Sequence, residues 1–334
     1  MKQGFDKTLV ILIGNARGGE ETWGTMYKNL LEPYNADLAL CFGEVKEKAS
    51  SLYERAEYIW EIPEYKNWRE FYDLNFNSNW DLFFKKHKYG NATLMGGIDD
   101  FLGSGAIVFA FRHYLLKNKI EFINQYDRII LTRSDFYYID KHPILPLGKL
   151  YAVEGEEYGG ISDRHFIFDS YMSNDVLGIL DFLCSEANFE RLNKLEENTV
   201  NPEMALLIFF KHNKINEKLE YHKRVQFTVG IEGDLSRWVN PSHFIPGFKG
   251  IKYKYIEEYE VALKNLMKKD GALSKAGYLY LIHMLYKIFL RKKSYIFLIL
   301  TVLLTLKKYF PKIYNSILYI KNNILRIRKS FLKY

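Results

Sequence analysis

Acidic side chains are missing from the end of this chain. No Asp or Glu follows Asp270, whereas residues 271–334 hold 13 of the 47 Lys and Arg. The first 270 residues are left with 34 basic against 40 acidic groups, a formal −6, and the tail carries +13. The net charge of +7 therefore belongs to the tail and gives no argument for nucleic acid as a partner of the main domain. Cysteine is scarce as well: Cys41 and Cys184 alone exclude a disulfide framework and a cysteine-based zinc site, and they suit a reducing compartment. Only 8 prolines and 48% apolar residues exclude a disordered chain, and 334 residues suffice for a sizeable core. Near the N-terminus, six or so apolar residues before Gly14 are too few for a signal-peptide core.

What is present reads as an α/β domain. Lys7–Ile13 is a β-rich run stopped by Gly14-Asn15, a helix is predicted to about Leu31, and Asp37–Phe42 is a second strand. Residues 63–100 are crowded with aromatic, Asn and charged residues and read poorly as regular structure. A helix is predicted from Gly105 through Leu116, and Tyr126–Leu131 is a strand. Phe166–Phe168 is another, and Asn174–Leu183 and Pro202–Lys211 are helical, the second with Pro in its first turn. There is no internal repeat. The division expected is 1–250 as the catalytic-type domain and 251–334 as a helical, basic C-terminal region.

The chemistry-bearing residues sit just beyond the strands. Arg133-Ser-Asp135 follows the strand ending at Leu131. A core strand has little use for such a pair, because burying a charge is costly unless it is partnered. At the carboxyl edge of an open sheet it is where α/β folds bind ligands. There Asp135 is a candidate ligand for Mg2+ or Mn2+, and Arg133 is a candidate phosphate grip or a simple partner for Asp135. Gly14, Asn15 and Arg17, in a loop with Gly18-Gly19, are candidates for close approach to a nucleotide. Thr22 is either part of that contact or an ordinary helix cap. The loop is neither a Walker nor a Rossmann pattern. Asp163, Arg164 and His165 stand together before an apolar strand, behind Tyr158-Gly-Gly160. Glu203, in a helix first turn, is read as either dipole compensation or a general base. Asp99-Asp100 reads as a turn, and the remaining histidines show no metal-ligand spacing.

In order, Gly14-Asn-Ala-Arg17 with Thr22-Trp23, Tyr126–Asp135, Tyr158–His165 and Pro202-Glu203 resemble bacterial and viral GT-A-type glycosyltransferases of surface polysaccharide synthesis. The resemblance covers roughly residues 7–215. It implies a Rossmann-like nucleotide-diphospho-sugar transferase fold, a nucleotide-sugar donor, and a divalent metal held where that family has Asp-x-Asp. Arg133-Ser-Asp135 stands there instead, so only Asp135 carries over. It further implies acceptor-side carboxylates at Asp163 and Glu203, with His165 and Arg164 supporting the donor or acceptor. The expected function is sugar transfer to a glycan or lipid-linked acceptor. The alternatives are another nucleotide-dependent transferase and a non-catalytic, membrane-tethered glycan-binding protein. On this reading Asp135→Asn abolishes transfer and spares the fold.

The tail adds Ser294–Leu306, an uncharged run of 13 residues between Arg291-Lys-Lys293 and Lys307-Lys308. Crossing a bilayer needs roughly 20 apolar residues, so a flat or re-entrant interfacial helix fits better, with the cations facing anionic lipid. The expected location is cytoplasmic, peripheral or monotopic on the inner face of the membrane. Truncation after Asp270 is expected to abolish co-sedimentation with anionic vesicles; retention by the truncated chain would refute attachment through the tail.

Overall fold

A computed structural model describes residues 6–44, 48–87, 93–155, 157–194, 200–232, 234, 245–246, 251–270 and 315. The chain divides into two units, Met1–Lys269 and Asp270–Tyr334. The first unit thus runs past residue 250, where the sequence places the division. Residues 251–269 belong to it because the helix Ile256–Asp270 buries Glu258, Tyr259, Ala262 and Leu263. The basic tail, including Ser294–Leu306, lies outside the described residues apart from Asn315. Among the described residues no helix is long and apolar enough to cross a membrane.

The first unit is α/β. Its main sheet comprises β1 (Thr8–Gly14), β2 (Asp37–Gly43), β3 (Tyr58–Ile62), β4 (Arg128–Thr132), β6 (Leu150–Val153), β7 (Phe166–Asp169) and β8 (Leu219–His222), in the order β3-β2-β1-β4-β7-β6-β8. The pairings are parallel except those of β7, which runs antiparallel to β4 and to β6. A second sheet, β10-β11-β9-β5, comprises β5 (Phe136–Tyr138), β9 (Gln226–Gly230), β10 (Ile245–Pro246) and β11 (Lys252–Tyr253).

Strand alternation divides the core in two. Leu9, Ile11, Ile13, Ile129 and Leu131 face one layer, which holds the helices Gly105–Asn118 and Pro202–His212. Val10, Leu12, Leu38, Leu40 and Ile130 face the other, against Trp23, Met26 and Leu30 of the segment after β1. Covering both faces is why β1, β2 and β4 read as unbroken apolar runs. Burying each such side chain stabilises the fold by roughly 1.5–3 kcal/mol.

The aromatic segment 63–100 is part of the core. Trp68, Phe71, Tyr72, Trp80 and Phe84 are buried in ring-to-ring contact, on and just ahead of the short helices Arg69–Asn75 and Leu82–Lys86. Their packing, rather than a helical repeat, orders this stretch, which is why periodicity does not reveal it. Asp99 and Asp100 form the expected turn with φ of 47° and 61°, and Asp99 is bound by Arg69. The helix expected over 174–183 is broken at Gly178 into Ser173–Leu177 and Ile179–Leu183.

The loop ahead of β7 is fixed by close backbone approach. A Cβ on Gly160 would lie 2.1 Å from the carbonyl of Glu203, and the Ile161 amide donates to that carbonyl at 3.1 Å. Gly160→Ala is therefore expected to lower stability by about 1–3 kcal/mol or more, read as a shift of the urea midpoint. An unchanged midpoint would show that the loop is not held against the helix Pro202–His212.

Candidate functional site

Sheet order determines where a ligand can enter. From β1 the chain builds β2 and β3 on one side and β4 on the other, so a crevice opens beyond the carboxyl ends of β1 and β4. The loop Asn15–Gly18 and the motif Arg133-Ser-Asp135 both lie there. Ser134 laces them together: its Oγ donates to the Asn15 carbonyl at 2.7 Å and accepts from the Arg17 amide at 3.0 Å. Gly18 is pressed against the same motif, since a Cβ on it would sit 3.2 Å from Asp135 Cα, and its φ is +90°. Gly14 turns the end of β1 with φ +111°. Asn15 accepts from the Gly43 amide at 3.3 Å, which ties in the end of β2.

Asp135 is 2% exposed. Both of its carboxylate oxygens accept from Arg133, at 2.8 and 2.5 Å, and Arg17 Nε stands 3.9 Å away. Burial by itself would raise the Asp135 carboxyl; Arg133 and Arg17 reverse this and hold it well below the usual carboxylate range. A third cation, Lys254, faces the same group. Burial and then the Arg133 guanidinium push its ammonium down to about 7. Arg164 comes from the start of β7, donates to Glu258 at 2.5 Å, and stacks over Tyr255 at 4.8 Å. Glu258 is fully buried, also meets Arg224 at 3.5 Å, and accepts from the Thr228 amide at 2.7 Å. The site is thus cation-rich: Arg17, Arg133 and Lys254 act on Asp135, and Arg164, which acts on Arg133, is held by Glu258.

This geometry revises several expectations. The fit of Asp135 to a divalent metal is poor. Its oxygens are committed to Arg133, and its neighbours are cations that repel a further positive charge. Among the described residues the sole group of three or more His, Cys, Asp or Glu spaced to share an ion is elsewhere. Nor is Asp135→Asn expected to spare the fold, because it would leave Arg133 and Arg17 uncompensated. Thr22 is not a cap: the helix Gly19–Met26 begins after Gly18, and Thr22 is fully buried within it. His165 is fully buried too, packed on His142 and His222, so it lies outside the open crevice as an acid or base.

Asp163 and Glu203 are brought to one loop–helix junction. Arg112 donates to the Asp163 carbonyl at 2.8 Å, and Asn201 caps the helix Pro202–His212 by accepting from the Met204 amide at 2.7 Å. Both carboxylates are half-buried. The sequence reading missed Lys254, Tyr255 and Glu258, which the second sheet and the following helix deliver. It also missed Asp234, which accepts from the Gly18 and Ile231 amides at 3.1 and 2.9 Å. An anion already sits on the glycine loop in this structure, and it is the protein's own.

No protein-family model matches the chain, and no curated protein matches it in sequence. Fold and site define an α/β protein with a mostly parallel seven-stranded sheet and a cluster of cationic side chains at its topological switch point.

Replacing Glu258 by Gln is expected to destabilise the protein by about 3–5 kcal/mol, because two buried guanidiniums lose their counter-charge. Burial opposes ionisation of Glu258, but Arg164 and Arg224 hold its folded-state pKa below its ordinary 4.5, and Asp135 behaves alike. Their stabilisation is complete above about pH 4.5 and lost as pH falls through the depressed values. Urea titrations between pH 3 and 7 check this; a flat profile below pH 4.5 would contradict the ion pairs.

Proposed function

We propose that the protein is a glycosyltransferase that binds a nucleoside-diphosphate sugar between the ends of β1 and β4 and passes the sugar to a glycan or lipid-linked acceptor. One observation carries the reading: three cationic side chains, Arg17, Arg133 and Lys254, act on a single buried carboxylate at the switch point of the sheet, with Arg164 beside Arg133. Among the described residues Lys254 forms no ion pair, so Asp135 leaves positive charge to be met by a ligand. A diphosphate supplies the matching charge. The order of the motifs, which resembles that of GT-A glycosyltransferases, supports a sugar nucleotide over other phosphorylated ligands.

In this reading the acceptor hydroxyl oxygen attacks the anomeric carbon, the bond from that carbon to the diphosphate oxygen breaks, and the nucleoside diphosphate departs. Arg17, Arg133 and Lys254 stabilise the charge on the leaving group, preorganised and partly dehydrated. Asp163 or Glu203 takes the hydroxyl proton, a contribution of roughly 10²–10⁴-fold. Asp135 acts by holding Arg133 and Arg17 in place. The poor metal fit of Asp135 makes the protein's own cations the counter-charge in this scheme. Asp234 has to give up the Gly18 amide, or share it, when a phosphate arrives. The basic tail brings the unit to a membrane surface, which suits a lipid-linked acceptor.

Calorimetric titration with UDP and with GDP, in the presence of chelator, tests the reading. Arg17→Ala and Lys254→Ala are each expected to weaken binding about 10-fold or more. An anion favours protonated Lys254, whose pKa in the free protein is about 7. Affinity should therefore fall as pH rises from 6 to 8, and the fall should vanish in Lys254→Ala. Absence of binding by either nucleotide or by its sugar conjugates, with or without Mn2+, would overturn the proposal.

A further inference from the structure

At the entry to β7 three histidines meet. His165 immediately precedes β7, His222 ends β8, and His142 lies in the segment between β5 and β6. All three are buried, at 0, 5 and 2% exposure. One ring nitrogen from each lies within 4.8 Å of the others, and the ring centroids are 4.7 to 5.4 Å apart.

Their hydrogen bonds determine which nitrogens are available. His142 Nδ1 is 2.9 Å from the Pro143 carbonyl, and His222 Nδ1 is 3.1 Å from the Lys223 carbonyl. A carbonyl can only accept, so in both rings Nδ1 carries the proton and Nε2 presents a bare lone pair. His165 Nδ1 is engaged by Thr132 Oγ1 at 2.9 Å. The Nε2 atoms of all three rings are buried without a hydrogen-bond partner. Unpartnered buried polar atoms are rare in proteins and call for an explanation. Three of them in one place, each backed by a hydrogen bond on the opposite ring nitrogen, is the arrangement that orients imidazoles toward a metal.

We propose that His142, His165 and His222 bind a divalent transition metal through their Nε2 atoms, with Zn2+ the ion that best suits three neutral imidazoles. Three atoms within 4.8 Å of one another have a central point no more than about 2.8 Å from any of them, against the ~2.0–2.1 Å of a zinc–imidazole bond. A small inward rotation of the rings closes that gap. Among the described residues no Asp, Glu or Cys completes the group, which leaves the fourth position to water or another small ligand. The charged groups that act on the cluster are Arg224, a cation, and Glu154, which acts on His222; Arg224 is itself offset by Glu258 and by hydrogen bonds to the carbonyls of Glu154 and Gly155. The ion would pin β8, the start of β7 and the segment after β5 to one another. Thr132, next to Arg133, and His165, next to Arg164, link it to the residues of the anion pocket. The site stands independently of the sugar-nucleotide reading.

The test uses the full-length chain, stripped with dipicolinate and reloaded with Zn2+ or Co2+ alone. The expected result is one ion per chain by elemental analysis, a visible Co2+ spectrum of tetrahedral nitrogen ligation, and a rise in melting temperature on reloading. His222→Gln and His142→Gln should each weaken Zn2+ binding by more than the ~10–100-fold that loss of an outer hydrogen-bonding partner costs, and Thr132→Val by about 10-fold. His212→Gln, at a ring paired with Arg191, should leave affinity unchanged. A folded, stripped wild-type chain that takes up neither ion overturns the proposal, as does uptake that the His142 and His222 substitutions do not alter. Should those variants fail to fold, the Co2+ spectrum and melting shift of the unsubstituted chain decide alone. A spectrum without nitrogen ligation, or no shift, refutes the site.

Discussion

A carboxylate cannot be buried by itself, and the solution found for Asp135 organises everything around it. The penalty of removing that charge from water is met by a bidentate guanidinium two residues earlier and by a second one from the loop after β1. Holding Arg17 and Arg133 in this way brings the ends of two parallel strands into a single surface. Ser134 between them completes the junction with hydrogen bonds to backbone on the other side. The three-residue motif is therefore a clasp between two strand ends.

The clasp also explains the imbalance of charge. One carboxylate is enough to anchor several cations but too little to neutralise them. Lys254 is left at the edge of ionisation, because dehydration and neighbouring guanidiniums both oppose its proton. Perturbed groups of this kind concentrate at sites that meet charged ligands. Glu258 does similar work at one remove, holding Arg164 and Arg224 from within the helix Ile256–Asp270. Two buried acids thus position a larger number of bases, and the surplus faces the crevice.

Much of this was legible in the sequence, and the reason is local. β1 and β4 are apolar runs ended by glycine or by charge, so their carboxyl ends could be located and Arg17, Arg133 and Asp135 assigned to one edge. Arg164 could be found because three ionisable residues before a buried strand are conspicuous. Lys254 and Glu258 could not: β9 and β11 are five and two residues long, too short for a periodic signal, and they reach the site only through tertiary packing. The burial of Asp135, which changes its role from metal ligand to anchor, likewise depends on the second sheet closing over it. The histidine cluster had no signature in spacing, since its members come from three separated segments. The one hint was position: His165 immediately precedes β7, and His222 is the last residue of β8.

β7 is the strand that runs against its neighbours, and this reversal brings the residues before it to the edge where β1 and β4 finish. Arg164 and His165 are consecutive there and serve opposite sides, one toward Glu258 and Tyr255, the other toward the imidazole cluster. Because side chains alternate along extended backbone, slippage of β7 by a single residue against β4 would exchange them. A guanidinium would then enter the ring of imidazoles and an imidazole the cation-rich wall beside Asp135. Pairing of Leu131 with Phe166 is thus a selector that decides which chemistry each compartment receives.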